Sequence, residues 1–207
     1  GSIRDRQLGH SAPGLFSSRE HGVLPPSQLV AQHLTQATGF AWAMRMKKAP
    51  GAVLAFLSET AADAGDFHSA VNFAGVTKAP IVFLVRRGDV PVAPAPDVEV
   101  VDKAVAYGVT SAECGGGPTE IASAVSRAMA RARSGDGPTL LEARVGTDPD
   151  PLADLRAALV RDGALTETDD FAMRREIMGE LESETTAAMA AGPPGRAPLF
   201  AEVFAEV

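Results

Sequence analysis

Residues 57–87 read LSETAADAGDFHSAVNFAGVTKAPIVFLVRR, and this stretch constrains the fold more than any other, because two short apolar runs flank one helical period. The first run, 52–57, contains Val53, Leu54 and Phe56 and stops at Ser58. It is too short for an ordinary helix and reads as a buried strand. From Asp66 the apolar residues fall at Phe67, Ala70, Val71, Phe73 and Ala74, a helical spacing that Pro80 closes. The second run, 81–85, is again strand-like and ends abruptly in Arg86 and Arg87. Strand, loop, helix, strand implies a right-handed crossover between parallel strands. Ligands of such sheets sit outside the carboxyl ends of the strands, which makes 58–60 (Ser58, Glu59, Thr60) and 86–89 (Arg86, Arg87, Gly88, Asp89) the candidate site segments.

The rest of the chain extends this pattern. Residues 27–48 predict a helix with Ser27 as N-cap and Leu29, Val30, His33, Leu34, Ala37, Phe40, Ala41 and Met44 on one face. Gly39 within it suggests a close neighbour, and Trp42, Met44 and Met46 read as core. A Pro-rich connection, 90–97, tolerates no long regular element. Residues 98–101 read as a short strand, 102–107 as a helical turn and 109–114 as another extended piece. Residues 118–134 predict a helix with Pro118 near its first position and Ala122, Val125, Met129 and Ala132 buried. Residues 139–145 form the last strand, and 151–161 and 168–191 are helices. A linker, 192–198, leads to an apolar end with Leu199, Phe200, Val203 and Phe204, which suggests docking. The expected organisation is an irregular arm over 1–26, an α/β domain over 27–147, and C-terminal helices and tail over 148–207.

Composition bounds the function classes. With 207 residues and 45% hydrophobic content, one substantial core is expected. A net charge of −7 argues against nucleic acid or an anionic membrane surface as partner. The single cysteine, Cys114, excludes an internal disulfide and fits a reducing, cytoplasmic setting. No apolar run reaches membrane-spanning length and no signal segment opens the chain. His10, His21 and His33 show no metal-ligand spacing with one another or with Cys114. Gly115 to Gly117 reads as a turn rather than a phosphate cradle, and His68 as structural.

The run GDFHSAVNFAGVTKAPIVFLVRR resembles the alpha subunit of the thiamine-dependent decarboxylating component of 2-oxo acid dehydrogenase complexes, of the pyruvate and branched-chain type. The similarity resumes in DPLADLRAALVRDGALTE from Asp150 and LFAEVFAEV from Leu199. The resemblance implies a three-layer α/β fold of the thiamin-diphosphate-binding type, with a mostly parallel sheet flanked by helices and a C-terminal helical tail. It implies thiamine diphosphate and magnesium as cofactors, and a beta subunit as partner. In that family the first segment carries Gly-Asp-Gly or Gly-Glu-Gly and the second ends in Asn-Asn, supplying oxygens to magnesium and close backbone approach to the diphosphate.

This chain departs from that pattern. Glu59 keeps a carboxylate at the metal position, but Ser58 and Thr60 replace both glycines, and the Thr60 side chain is expected to crowd the backbone approach. Arg87 and Gly88 stand where the asparagine pair belongs, and neither side chain can offer an oxygen. Arg86 matches an arginine that faces the diphosphate in the branched-chain enzymes. The family's long histidine-containing loop is replaced by a direct run from the last strand into Asp148-Pro149-Asp150-Pro151. Near Ser27, Leu29, Gln32 and His33 replace the proline, threonine and glutamine of the family's potassium segment. The expectation is a catalytically degenerate homologue, non-catalytic or regulatory, assembling with itself or with a beta-like subunit and holding no cofactor. The alternatives are a minimal working alpha subunit, with Glu59 on magnesium and Arg86 on the diphosphate, and an anion- or nucleotide-binding module using Arg86 and Arg87. Glu59 and the two arginines can equally be solvated charges at a strand end.

Overall fold

The computed structural model describes residues 15–25, 27–88, 98–115, 117–146 and 150–196. Asp89, the Pro-rich connection 90–97, the Asp148-Pro149 junction and the apolar end 199–204 lie outside the described residues.

The chain divides into two compact units, and the larger, Ser27–Ala157, holds the sheet. In chain order its elements are α1 (Gln32–Met46), β1 (Val53–Ser58), a 3-10 helix (Glu59–Asp63), α2 (Gly65–Thr77), β2 (Ile81–Gly88), α3 (Val100–Val105), β3 (Thr110–Cys114), α4 (Pro118–Arg133) and β4 (Thr139–Val145). The four strands are all parallel, in the order β1-β2-β4-β3. The connections through α2 and α3 advance across the sheet in one direction, and the connection through α4 returns from β3 to β4. Right-handed crossovers then require α4 to lie on the opposite face from α2 and α3. The packing agrees. Ile81, Phe83 and Val85 of β2 pack with Leu34, Phe67, Val71, Val100 and Ala104 on one side. Val82 and Leu84 pack with Ala124, Ala128 and Ala132 of α4 on the other. A strand whose alternating residues are buried on both faces reads as a continuous apolar run, and β2 is such a strand. The result is the three-layer α/β arrangement expected, with four strands as its middle layer.

One glycine is sterically required. A Cβ on Gly75 of α2 would lie 2.2 Å from the carbonyl oxygen of Tyr107, so only hydrogen lets the turn after α3 reach α2. Beside this contact His68 Nδ1 and the Tyr107 hydroxyl share a 2.7 Å hydrogen bond, which gives His68 the structural role expected.

Several local expectations are corrected. Residues 98–101 are not a strand: Val100 opens α3, because Val100 and Ala104, one helical turn apart, both reach the core. The β-branched run masked a helical spacing. Ser27 is not an N-cap. Ala31 is left-handed (φ 62°) and breaks the chain just before Gln32, while Ser27 Oγ accepts a 3.0 Å hydrogen bond from the Leu29 amide in a local turn. The buried stripe of α1 is therefore Leu34, Ala37, Thr38 and Ala41, and Leu29, Val30, Phe40, Trp42 and Met46 are exposed. A Cβ on Gly39 would meet nothing within 4 Å, so no neighbour among the described residues packs there. In α4 the buried face is Ala124, Ala128 and Ala132, leaving Ala122 exposed.

The smaller unit contributes, among the described residues, 15–25 and 158–196. Helix α5 (Pro151–Arg161) leads towards it, and α6 (Glu167–Ala191) runs for 25 residues with none buried. Thr166 caps α6 by accepting a 3.1 Å hydrogen bond from the Asp169 amide, and acidic Glu167, Asp169 and Asp170 in its first turn complement the helix dipole. No described helix is long and apolar enough to cross a membrane.

Candidate functional site

The carboxyl ends of the adjacent strands β1, β2 and β4 lie side by side, and their register sorts the site residues onto two faces. Ser58 pairs with Arg86, and Arg86 with Ala143. In a parallel ladder paired residues project to the same side, so Ser58 and Arg86 share the face on which Ala143 packs towards α4. Arg87 projects to the other face, with Val85 and with Glu142, the β4 partner of Val85. Adjacent arginines thus point into different layers of the molecule.

On the α2 and α3 face Arg87 is enclosed by carboxylates from three other segments. Its Nη1 donates to Glu142 Oε1 at 2.8 Å and also to Glu99 Oε2, and its Nη2 donates to Glu99 Oε1 at 3.4 Å. Its Nε lies 3.8 Å from Glu59 Oε2. The Glu142 side chain is completely buried and that of Arg87 is 28% exposed. Hydrogen bonds to Glu99 and Glu142 hold the Arg87 guanidinium well above its ordinary range, and the Arg87 donors in turn pull the Glu99 carboxyl below its own. The donors do not saturate the acceptors. Oε2 of Glu59 and Oε2 of Glu142 are buried without a hydrogen-bond partner among the described residues. Nearby, Lys103 Nζ donates to Asp63 Oδ1 at 2.6 Å and to the Ala62 carbonyl at 3.3 Å, tying the 3-10 helix to α3. Arg144, register partner of Arg87, pairs with Glu113 at 2.9 Å.

On the α4 face the groups are simpler. Ser58 and Thr60 share a hydroxyl hydrogen bond of 2.9 Å, and Arg86 is exposed and forms no ion pair among the described residues. Ser58 has ordinary extended backbone, φ −84° and ψ 160°, so the turn into Glu59 does not use a conformation reserved for glycine. Gly88 is exposed at the strand end. Cys114, at the end of β3, is buried, and desolvation pushes its thiol up.

The residues therefore divide as follows. Ser58, Thr60 and Arg86 fall together, Glu59 and Arg87 fall together, and Gly88 contributes no side chain. Glu99 and Glu142 belong to the site and were not singled out from the sequence. Glu142 did leave a signal, a lone acid inside the apolar strand run TLLEARV, and such an acid requires a buried partner. The arrangement does not fit a divalent cation. Glu59, the expected ligand, faces a guanidinium that already carries the positive charge, Arg87 offers only donors, and no three acidic, histidine or cysteine side chains converge on a common ion among the described residues.

Comparison with known proteins places this geometry in context. The dehydrogenase E1 component family matches residues 2–145. The chain is 34% identical over 140 residues to the 2-oxoisovalerate dehydrogenase subunit alpha of Bacillus subtilis (strain 168), covering 65% of this chain and 42% of that one. It is 26% identical over 189 residues to the pyruvate dehydrogenase E1 component subunit alpha of the same organism, covering 77% and 51%. The chain thus spans about half the length of the curated relatives it matches. Among solved structures, benzoylformate decarboxylase from Polynucleobacter necessarius aligns with a TM-score of 0.44 at 16% identity, over 57% of this chain and 24% of that one.

Proposed function

This chain belongs to the dehydrogenase E1 component family and is homologous to 2-oxo acid dehydrogenase alpha subunits, and from that premise we propose that it is a catalytically degenerate member acting through subunit assembly. The observation that carries this reading is the enclosure of Arg87 by Glu59, Glu99 and Glu142. The one carboxylate that could serve magnesium is turned towards a guanidinium, and a divalent ion placed beside that guanidinium would meet like charge at close range. Without the metal, a diphosphate loses its main counter-charge.

Assembly is the function left to the scaffold. Phe56 on the edge strand β1 is 64% exposed, and Phe40 and Met46 of α1 with Phe73 and Val76 of α2 are exposed as well. Exposed apolar groups in this number fit contact with another subunit, either a second copy or a beta-like chain. Calorimetric titration of the purified chain with thiamine diphosphate and magnesium, alone and with a beta-like protein, tests the proposal. No heat of binding is expected in either case; micromolar binding that disappears in Glu59→Ala would replace it with a minimal working alpha subunit.

One observation favours a second reading, anion binding. Among the described residues Arg86 stands without an ion pair beside the Ser58 and Thr60 hydroxyls, at the end of the sheet where ligands of such folds bind. Titration with inorganic pyrophosphate in the absence of metal, repeated on Arg86→Ala, tests it.

A further inference from the structure

We infer that the Arg87 guanidinium is the resident cation of this site, holding together the segments that an inorganic cation would otherwise gather, so that removing it converts the protein into one that responds to divalent ions. The inference rests on the reading that the chain holds no magnesium of its own. It adds why the site is nonetheless intact.

Arg87 is the hub of four segments. It extends from β2 and reaches Glu59 at the start of the 3-10 helix, Glu99 at the start of α3 and Glu142 inside β4. Three carboxylates at one place repel one another, and a buried one such as Glu142 is tolerated only beside a positive charge. One guanidinium supplies that charge with three nitrogens, Nε towards Glu59, Nη1 towards both Glu142 and Glu99, and Nη2 towards Glu99. The neutralisation is incomplete: three acids face one base, and the buried Oε2 atoms of Glu59 and Glu142 accept no hydrogen bond among the described residues. These orphaned oxygens are hard, anionic donors of the kind that magnesium and manganese bind. What keeps a dication out is the charge and volume of Arg87 itself. With a short neutral amide at position 87, the orphaned Oε2 atoms of Glu59 and Glu142 are left with a charge deficit that a small dication can offset.

The test compares wild type, Arg87→Asn, Arg87→Asn with Glu59→Gln, and Arg87→Lys by thermal unfolding in EDTA and in rising Mn2+ or Mg2+. Wild type and Arg87→Lys, which keep a cation at the hub, are expected to show the same Tm with and without the ions. Arg87→Asn is expected to melt lower in EDTA and to regain about 5 °C or more at saturating Mn2+, reversibly on chelation. Adding Glu59→Gln to that variant should remove at least half of the regain. An Arg87→Asn protein that folds but ignores both ions overturns the inference, and so does one that folds under neither condition while Arg87→Lys folds. A wild-type Tm that rises with Mn2+ also overturns it. These outcomes are distinct from failure of the functional reading, which would appear as heat from thiamine diphosphate binding to the wild-type chain.

Discussion

Arg86 and Arg87 are neighbours in sequence with identical chemistry, and their surroundings have almost nothing in common. Arg87 is enclosed by three acids, one of them fully buried, while Arg86 is exposed beside two hydroxyl groups and has no ion pair among the described residues. The difference comes from the pleat of β2, which sends successive side chains to opposite faces. On one face the β4 register delivers Glu142 and on the other it delivers Ala143. A charged pair at a strand end is thus two separate positions, and a functional role assigned to one does not carry over to the other.

The largest expected effect lies on the Arg87 face. Arg87→Ala leaves the buried Glu142 without its counter-charge and should cost about 3 kcal/mol in chemical denaturation, the low end of the usual range because Arg87 is 28% exposed. A comparable loss for Arg86→Ala would erase the contrast. Second, Arg87→Met combined with Glu142→Leu should recover more than half of that loss, since an apolar pair needs no mutual compensation; no recovery would mean that Glu59 and Glu99 dominate the cost.

Third, the contrast should depend on pH. Arg87 holds Glu99 below its ordinary value of 4.5, so on acidification the unfolded chain takes up this proton before the folded one does. The stabilisation is complete at neutral pH and is lost progressively as pH falls below about 4.5. Denaturation midpoints measured across this window should fall less steeply in Arg87→Met than in wild type, and an unchanged slope would detach Glu99 from Arg87. Smallest of all, Arg86→Ala should change stability by no more than about 0.5 kcal/mol, as an exposed position does, while abolishing any heat of pyrophosphate binding.

The sequence was most legible where a segment's own period decided its state. The runs 52–57 and 81–85 and the spacing from Phe67 to Ala74 correspond to β1, β2 and α2, because Ala55 and Leu57, Ile81 to Val85, and Phe67, Ala70, Val71 and Ala74 are buried at strand or helix positions. Reading was poorer where local pattern and tertiary burial compete. The run VEVV around Val100 looks extended, yet contacts with the sheet select Val100 and Ala104 and wind it into α3. Trp42 and Met46 of α1 read as core residues yet are exposed, since a chain read alone gives no sign of which apolar face finds a partner within it.

The candidate site divides in the same way. The residue types at 58–60 and 86–88, and the loss of glycine and asparagine from a pattern that needs them, are properties of the sequence by itself. So is the parallel α/β architecture, because strand and helix periods are local and the crossover hand follows from the chirality of the residues. That Arg87 meets Glu142, 55 residues further on, and Glu99, across a connection of 12, depended on the β2-β4 register and on where α3 begins. Such pairings are set by the packing of the whole sheet, and strong electrostatic interactions arise only where that packing brings charges within a few ångströms and excludes water.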